Sequence, residues 1–224
     1  MKRIAVALSI LLNAAIVAAL LWAWFGGGQG FLLNAFIQPA HLRWVSQFEV
    51  LGVLPGDTVF LGDSITEGGS WHELFPETNV RNRGIGGDVT TGVLARIDQV
   101  RLGQPAQVFL LIGTNDLSIG LSEVDIVANI GRIVDEIHAA SPQTNVFVQS
   151  VLPRAAEYRE RIESLNRVLA QAVAGRALWV NLYPLFLDEQ DGSIADAFSN
   201  DELHLLGAGY AVWRDAIETL VNRG

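Results

Sequence analysis

Short unbroken apolar runs recur along the chain: Asp57-Thr-Val-Phe-Leu-Gly62, Gln107-Val-Phe-Leu-Leu-Ile-Gly113, Thr144-Asn-Val-Phe-Val-Gln-Ser-Val151 and Ala177-Leu-Trp-Val-Asn-Leu182, with Asn79-Val-Arg-Asn82 as a weaker fifth. Runs without a polar alternation suit strands buried on both faces, as in a parallel sheet. Amphipathic segments separate them. Val93, Ile97 and Val100 follow helical spacing, as do Ile126, Ile130, Ile133, Val134 and Ile137, with Ser122 and Asp125 placed to cap that second helix. Tyr158, Ile162, Leu165, Leu169 and Ala172 mark a third helix, and Val212, Ala216, Ile217 and Leu220 a last one. Strand alternating with helix requires crossover connections, and so predicts a three-layer α/β/α sandwich around a five-stranded parallel sheet.

Composition narrows the class further. Of 224 residues, 50 % are hydrophobic and 17 % charged, which excludes a disordered chain. There is no cysteine, so disulfides, thiolate catalysis and Cys-based zinc sites are excluded. The 24 acidic and 15 basic residues give a net charge of -9, and Lys2 is the only lysine. An acidic chain without a basic run is a poor nucleic-acid binder.

The N-terminus differs from the rest. Met1-Lys2-Arg3 precedes residues 4–25, a stretch with no charge in which only Ser9 and Asn13 are polar. Twenty-two helical residues reach about 33 Å, against a hydrocarbon core of about 30 Å. The expectation is a transmembrane signal anchor over residues 1–25, with Trp22 and Trp24 at the far lipid boundary and the remaining chain extracytoplasmic, periplasmic or extracellular. A cleaved signal peptide is the alternative, although its apolar region is normally shorter. Residues 26–55 then hold a flexible Gly26–Gly30 spacer and an amphipathic segment divided at Pro39, in which Leu42, Val45, Phe48 and Leu51 share near-helical spacing. The catalytic domain is expected over residues 56–224.

In open parallel sheets, ligands bind beyond the carboxyl ends of the strands. Four loops at those positions carry chemistry. Gly62-Asp63-Ser64-Ile65-Thr66 puts a serine directly after the first strand, as a nucleophile or as a helix cap. Asn82-Arg83-Gly84-Ile85-Gly86-Gly87-Asp88-Val89-Thr90 offers glycine amides to a substrate, or a tight turn with Asp88 or Thr90 as a cap. Gly113-Thr114-Asn115-Asp116 supplies an amide donor or an Asx-turn. Asn200-Asp201-Glu202-Leu203-His204 spaces a carboxylate and an imidazole so that one can orient the other. Together the loops contain nucleophile, base, orienter and oxyanion donors, the parts of an acyl-transfer site. Trp71, Leu74, Phe75 and Leu117 suit either an acyl pocket or the core.

These four blocks, in this order over about residues 57–220, resemble the SGNH (GDSL) hydrolase superfamily. GIGGDVT, LLIGTND, VLPR and DELHLLGAGY are most similar to the branch that contains the α-subunits of platelet-activating-factor acetylhydrolase. The resemblance implies a flavodoxin-like sheet and a serine esterase. Carried onto this chain, it makes Ser64 the nucleophile, His204 the base and Asp201 its orienter. The Ser64 amide, the Gly87 amide and the Asn115 side chain become oxyanion donors, with no metal or cofactor. The absence of a G-x-S-x-G elbow argues against an α/β-hydrolase. The expected activity is removal of small, acetyl-like acyl groups from an envelope or small-molecule ester. Lysophospholipase or thioesterase action on longer chains, acyl transfer, and an inert binding module are the alternatives.

Overall fold

The computed structural model describes residues 2–22 and 38–222. The chain divides into two compact units, Met1–Arg43 and Trp44–Gly224. In the first, helix α1 covers Lys2–Leu21. Of the expected 22-residue apolar span, 18 residues (Ile4–Leu21) are therefore α-helical, about 27 Å at the helical rise. Among the described residues no helix is long and apolar enough to cross a membrane. This corrects the expected transmembrane helix: residue counting carried the helix through Phe25, whereas its α-helical part ends at Leu21. Trp24 and the Gly26–Gly30 spacer lie outside the described residues.

Helix α2 runs Gln38–Val50, with Pro39 in its first turn, where a missing N–H costs nothing. Of its expected apolar stripe, Phe48 is buried and Val45 half-buried, while Leu51, just beyond the helix, is exposed. The stripe is held where Phe48 lies beneath the Arg83 guanidinium, 4.6 Å from ring centroid to Cζ.

Among the described residues the remaining strands and α-helices are β1 (Thr58–Gly62), α3 (Ser64–Glu67), α4 (Trp71–Leu74), β2 (Val80–Gly84), α5 (Thr90–Ala95), α6 (Asp98–Arg101), β3 (Gln107–Leu111), α7 (Thr114–Ser118), α8 (Glu123–Ala140), β4 (Asn145–Gln149), α9 (Arg159–Ala172), β5 (Leu178–Val180), α10 (Tyr183–Phe186) and α11 (Gly207–Val221), with a 3-10 turn over Ala156–Tyr158. The sheet order is β2-β1-β3-β4-β5, and every pairing is parallel. The expected α/β fold with a five-stranded parallel sheet is thus present. The helix expected over Val93–Val100 is two short helices, broken at Arg96 and Ile97. Ser122 does cap α8, accepting from the Asp125 amide.

Each central strand sorts its side chains by face. Val59, Leu61, Val108, Leu110, Val146 and Val148 join the aliphatic core that α8 and α9 cover with Ile126, Ile130, Ile133, Ile162 and Leu165. Phe60, Phe109 and Phe147 point the other way, into a core completed by Trp71, Trp213 and Ile217. The register places Phe60 beside Phe109 and Phe109 beside Phe147. Their rings stack at 5.2 and 4.4 Å between centroids. Alternate strand residues separated onto two buried faces explain why the runs lack polar alternation.

Phe109 sits at the centre of this row and is fully buried. Truncation there leaves a cavity between two rings, so Phe109→Ala should lower unfolding free energy by about 3–5 kcal/mol. Leu102→Ala, at an exposed position, should stay within about 0.5 kcal/mol of wild type. Urea unfolding of the two variants checks both values.

Candidate active site

The chain leaves β1 at Gly62, where a Cβ would lie 2.2 Å from the Leu111 carbonyl oxygen, so only glycine lets β1 and β3 end together. Asp63 follows as the N-cap of α3, its Oδ1 accepting from the Ile65 amide at 3.0 Å. Ser64 is therefore not the cap but the first helical residue, half-buried, with its hydroxyl left for another partner. That partner is His204, whose Nε2 lies 3.0 Å from Ser64 Oγ.

His204 is fixed from its other side. Its Nδ1 lies 2.7 Å from Asp201 Oδ2, and its own amide donates to Asp201 Oδ1 at 2.8 Å. The turn between them needs Glu202 at φ +59, a left-handed conformation uncommon for a residue with a Cβ. Asp201 Oδ1 also accepts from the Leu203 amide. The bonds from the His204 ring and the two amides hold the Asp201 carboxyl down at about 2, so it is ionised at neutral pH. A hydroxyl on an imidazole that a carboxylate orients can hand over its proton as it attacks.

The glycine loop passes over the serine. A Cβ on Gly84 would fall 2.1 Å from the Glu67 amide, and one on Gly86 would lie 4.0 Å from Ser64 Cβ. The Asp88 amide closes a turn onto the Ile85 carbonyl, with Gly87 at φ +75. Asn115 Nδ2 donates 2.9 Å to the Asp88 carbonyl. Asn115 is thus bonded across space to the glycine loop, and its amide carries a second N–H for a further acceptor.

Several supporting residues carried no readable signal for their role. Thr90 opens α5, but its amide is capped by Asp116, both of whose carboxylate oxygens lie at 3.1 Å, and its hydroxyl donates to Oδ1 at 2.6 Å. Burial pushes the Asp116 carboxyl up, against the bonds from Thr90. Asn129 of α8 adds a donor to Thr90 Oγ1. Asp88 pairs with Arg96 at 2.8 Å, both side chains being nearly inaccessible to solvent. The clue to Asp116 was its place beside Asn115; nothing in the pattern singled out Arg96 or Asn129.

The structure thus joins Ser64, His204 and Asp201 by direct hydrogen bonds and joins Asn115 to the Gly87–Asp88 loop. His72 and His138 have other neighbours, Glu73 and the Thr144 carbonyl. Trp71, Phe75 and Leu117 are buried in the two cores and Leu74 is half-buried against one of them, so these four positions pack the core. A groove of about 480 Å³, lined by Val45, Phe48, Val53 and Leu102 among others, holds none of the three hydrogen-bonded residues. The site sits instead at the carboxyl ends of β1 and β3, where the strand order reverses direction.

Comparison with known proteins gives the family. Residues 60–212 match the model of the GDSL-like Lipase/Acylhydrolase family. The chain belongs to that family. It is 33 % identical over 178 residues to the platelet-activating factor acetylhydrolase IB subunit alpha1 of Homo sapiens, covering 75 % of this chain and 76 % of that one. A GDSL-like lipase from Bacteroides thetaiotaomicron superposes with a TM-score of 0.72 at 26 % identity, covering 82 % of this chain and 97 % of the other. An acetyl xylan esterase shares the fold at a TM-score of 0.65 and 16 % identity, covering 74 % and 99 %. The GDSL family chain is an ester hydrolase, as the resemblance of its four blocks implied.

Asp63, beside Ser64, gives this hydrolase a pH signature. Complete burial pushes its carboxyl from 3.8 up to about 7, aided by the charges of Asp88 and Asp116 and opposed by the Ile65 amide. Between those values the folded protein holds a proton that the unfolded chain has lost. Stability from this group therefore falls as pH rises from about 4 to about 7, then levels off. Asp201, shifted the other way, adds stability above 3.8 that is lost as pH falls through about 2, outside that window. Asp63→Asn should gain on wild type steadily as pH is raised from about 4 to about 7. Urea midpoints across that range check it, and parallel curves would contradict it.

Proposed function

We propose that the protein is an exported serine esterase that removes small acyl groups, acetyl foremost, by a Ser64–His204–Asp201 triad and an acyl-enzyme. Ser64 Oγ attacks the ester carbonyl while His204 Nε2 takes its proton. The Asp201 carboxylate stabilises the imidazolium that forms. The Ser64 and Gly87 amides and the Asn115 side chain receive the negative oxygen. The tetrahedral adduct collapses, its C–O bond breaks, and His204 returns the proton to the leaving alcohol. Water then attacks the acyl-enzyme with His204 again as base, releasing the acid and restoring Ser64. Only the unprotonated ring can accept the proton, so His204 acts as base in its neutral form.

The observation that carries this reading is the continuous Asp201–His204–Ser64 hydrogen-bond chain, at 2.7 and 3.0 Å. Two further points favour short acyl groups. Trp71, Phe75 and Leu117, the large apolar residues that the sequence offered for an acyl pocket, are committed to the core and supply no acyl channel. The names of the human relative and of one structural neighbour refer to acetyl esters. An acetylated envelope glycan suits export, which the basic start at Lys2 and Arg3 and the apolar stretch after it support.

On p-nitrophenyl esters, kcat/KM should be highest for acetyl and fall steadily toward palmitoyl. A maximum at long chains would make the protein a lipid acylhydrolase, and a product acetylated on an added sugar would make it a transferase. Ser64→Ala should abolish turnover while unfolding at the wild-type urea midpoint; wild-type rates in that variant would overturn the assignment. Asn115→Ala should lower kcat by about 10²–10³ with little change in KM, because its donor acts mainly in the transition state. A change confined to KM would make Asn115 a substrate-positioning residue.

A further inference from the structure

Arg96 is the residue at which the expected long helix breaks in two. Its side chain is 3 % exposed, and its donors reach three separate segments. Nε donates to Asp88 Oδ2 at 2.8 Å, and Nη2 donates to the carbonyls of Gly62 at 3.1 Å and Arg83 at 2.9 Å. Gly62 stands two residues before Ser64 at the end of β1. Arg83 stands one residue before the end of β2, where the chain enters the glycine turn. Asp88 follows Gly87 directly, and its carbonyl accepts from Asn115. One planar guanidinium therefore bonds the backbone ahead of Ser64, the backbone ahead of the glycine turn, and the side chain of the residue that follows Gly87.

Room has been left for this pair. A Cβ on Gly92 would lie 1.9 Å from Asp88 Oδ1, so any side chain there would displace the carboxylate from its place. A buried ion pair is weak evidence for a stabilising role, because such pairs can often be replaced by apolar groups at no loss. A rigid fork of donors with fixed angles does what an apolar contact cannot: it sets the separation of the segments it bonds.

We propose that Arg96, paired with Asp88 in the space left by Gly92, is a positioning residue that fixes the spacing between the nucleophile's strand and the oxyanion loop. This rests on the esterase reading above. Arg96→Lys keeps the charge but loses the fork. Gly92→Ala keeps both charges and shifts Asp88. Ile137→Val, in the α8 core, serves as a control for destabilisation alone.

The three variants, Ser64→Ala and wild type are assayed for kcat and KM on p-nitrophenyl acetate, with melting temperatures alongside. Both Arg96→Lys and Gly92→Ala should lose on the order of 10- to 100-fold in kcat, with KM within about twofold. Ile137→Val should keep wild-type kcat. Wild-type kcat in either site variant, a loss confined to KM, or failure of both to fold would overturn the positioning role. Where only Arg96→Lys fails to fold, Gly92→Ala decides. The two readings fail separately: activity that survives Ser64→Ala sinks the esterase assignment, whereas activity lost in Ser64→Ala and intact in Arg96→Lys sinks only this inference.

Discussion

Five strands running the same way must deliver all their carboxyl ends to one rim, and the function of this chain follows from that. β1 lies between β2 and β3, so the chain steps to one side of it and then passes over it once to reach the other. The loops after β1, β2 and β3 therefore emerge side by side although they begin some twenty residues apart. Gly62 makes the convergence tight, because any larger residue would collide with the end of β3. The His204 loop completes the group from 140 residues away in sequence. Two dense cores hold the sheet still beneath them, aliphatic on one face and aromatic on the other.

The floor of the site is lined with buried ionisable groups, and that has an energetic consequence. Asp63, Asp88 and Asp116 are all buried near the rim, with Arg96 as the buried base paired to Asp88. Asp116 is compensated by the Thr90 amide and hydroxyl, whereas Asp63 has one amide and a second oxygen with no partner. Leaving a buried oxygen unpaired costs about 1–3 kcal/mol, so this region stores a local instability. Such sites trade stability for a preorganised field, which is where catalytic donors are most effective.

Much of this was legible in the residues. The strands were visible because continuous apolar runs have one natural home in a layered α/β fold, and all five appeared where those runs lie. The residues now bonded as Ser64, His204 and Asp201 were visible because each followed a predicted strand or preceded the last helix. What stayed hidden depends on long-range packing. Nothing local distinguishes Arg96 from any other arginine, since its partners are 8 to 34 residues away. The break in the helix at 96–97 is invisible to periodicity, because Val93, Ile97 and Val100 are all buried as one unbroken helix would bury them. Trp71, Phe75 and Leu117 illustrate the same limit: spacing shows that they are buried, but not whether against substrate or in one of the two cores. At the N-terminus the count of apolar residues predicted a membrane span, whereas no helix among the described residues is long and apolar enough to cross one.

The proposed chemistry turns on Ser64 being an activated nucleophile, and covalent labelling tests that most directly. The full-length protein is treated with a fluorophosphonate, digested, and mapped by mass spectrometry. The adduct should sit on Ser64, and labelling should collapse in His204→Ala, where no base remains to take the proton. An adduct on another residue, or equally fast labelling of Ser64 without the imidazole, would contradict it.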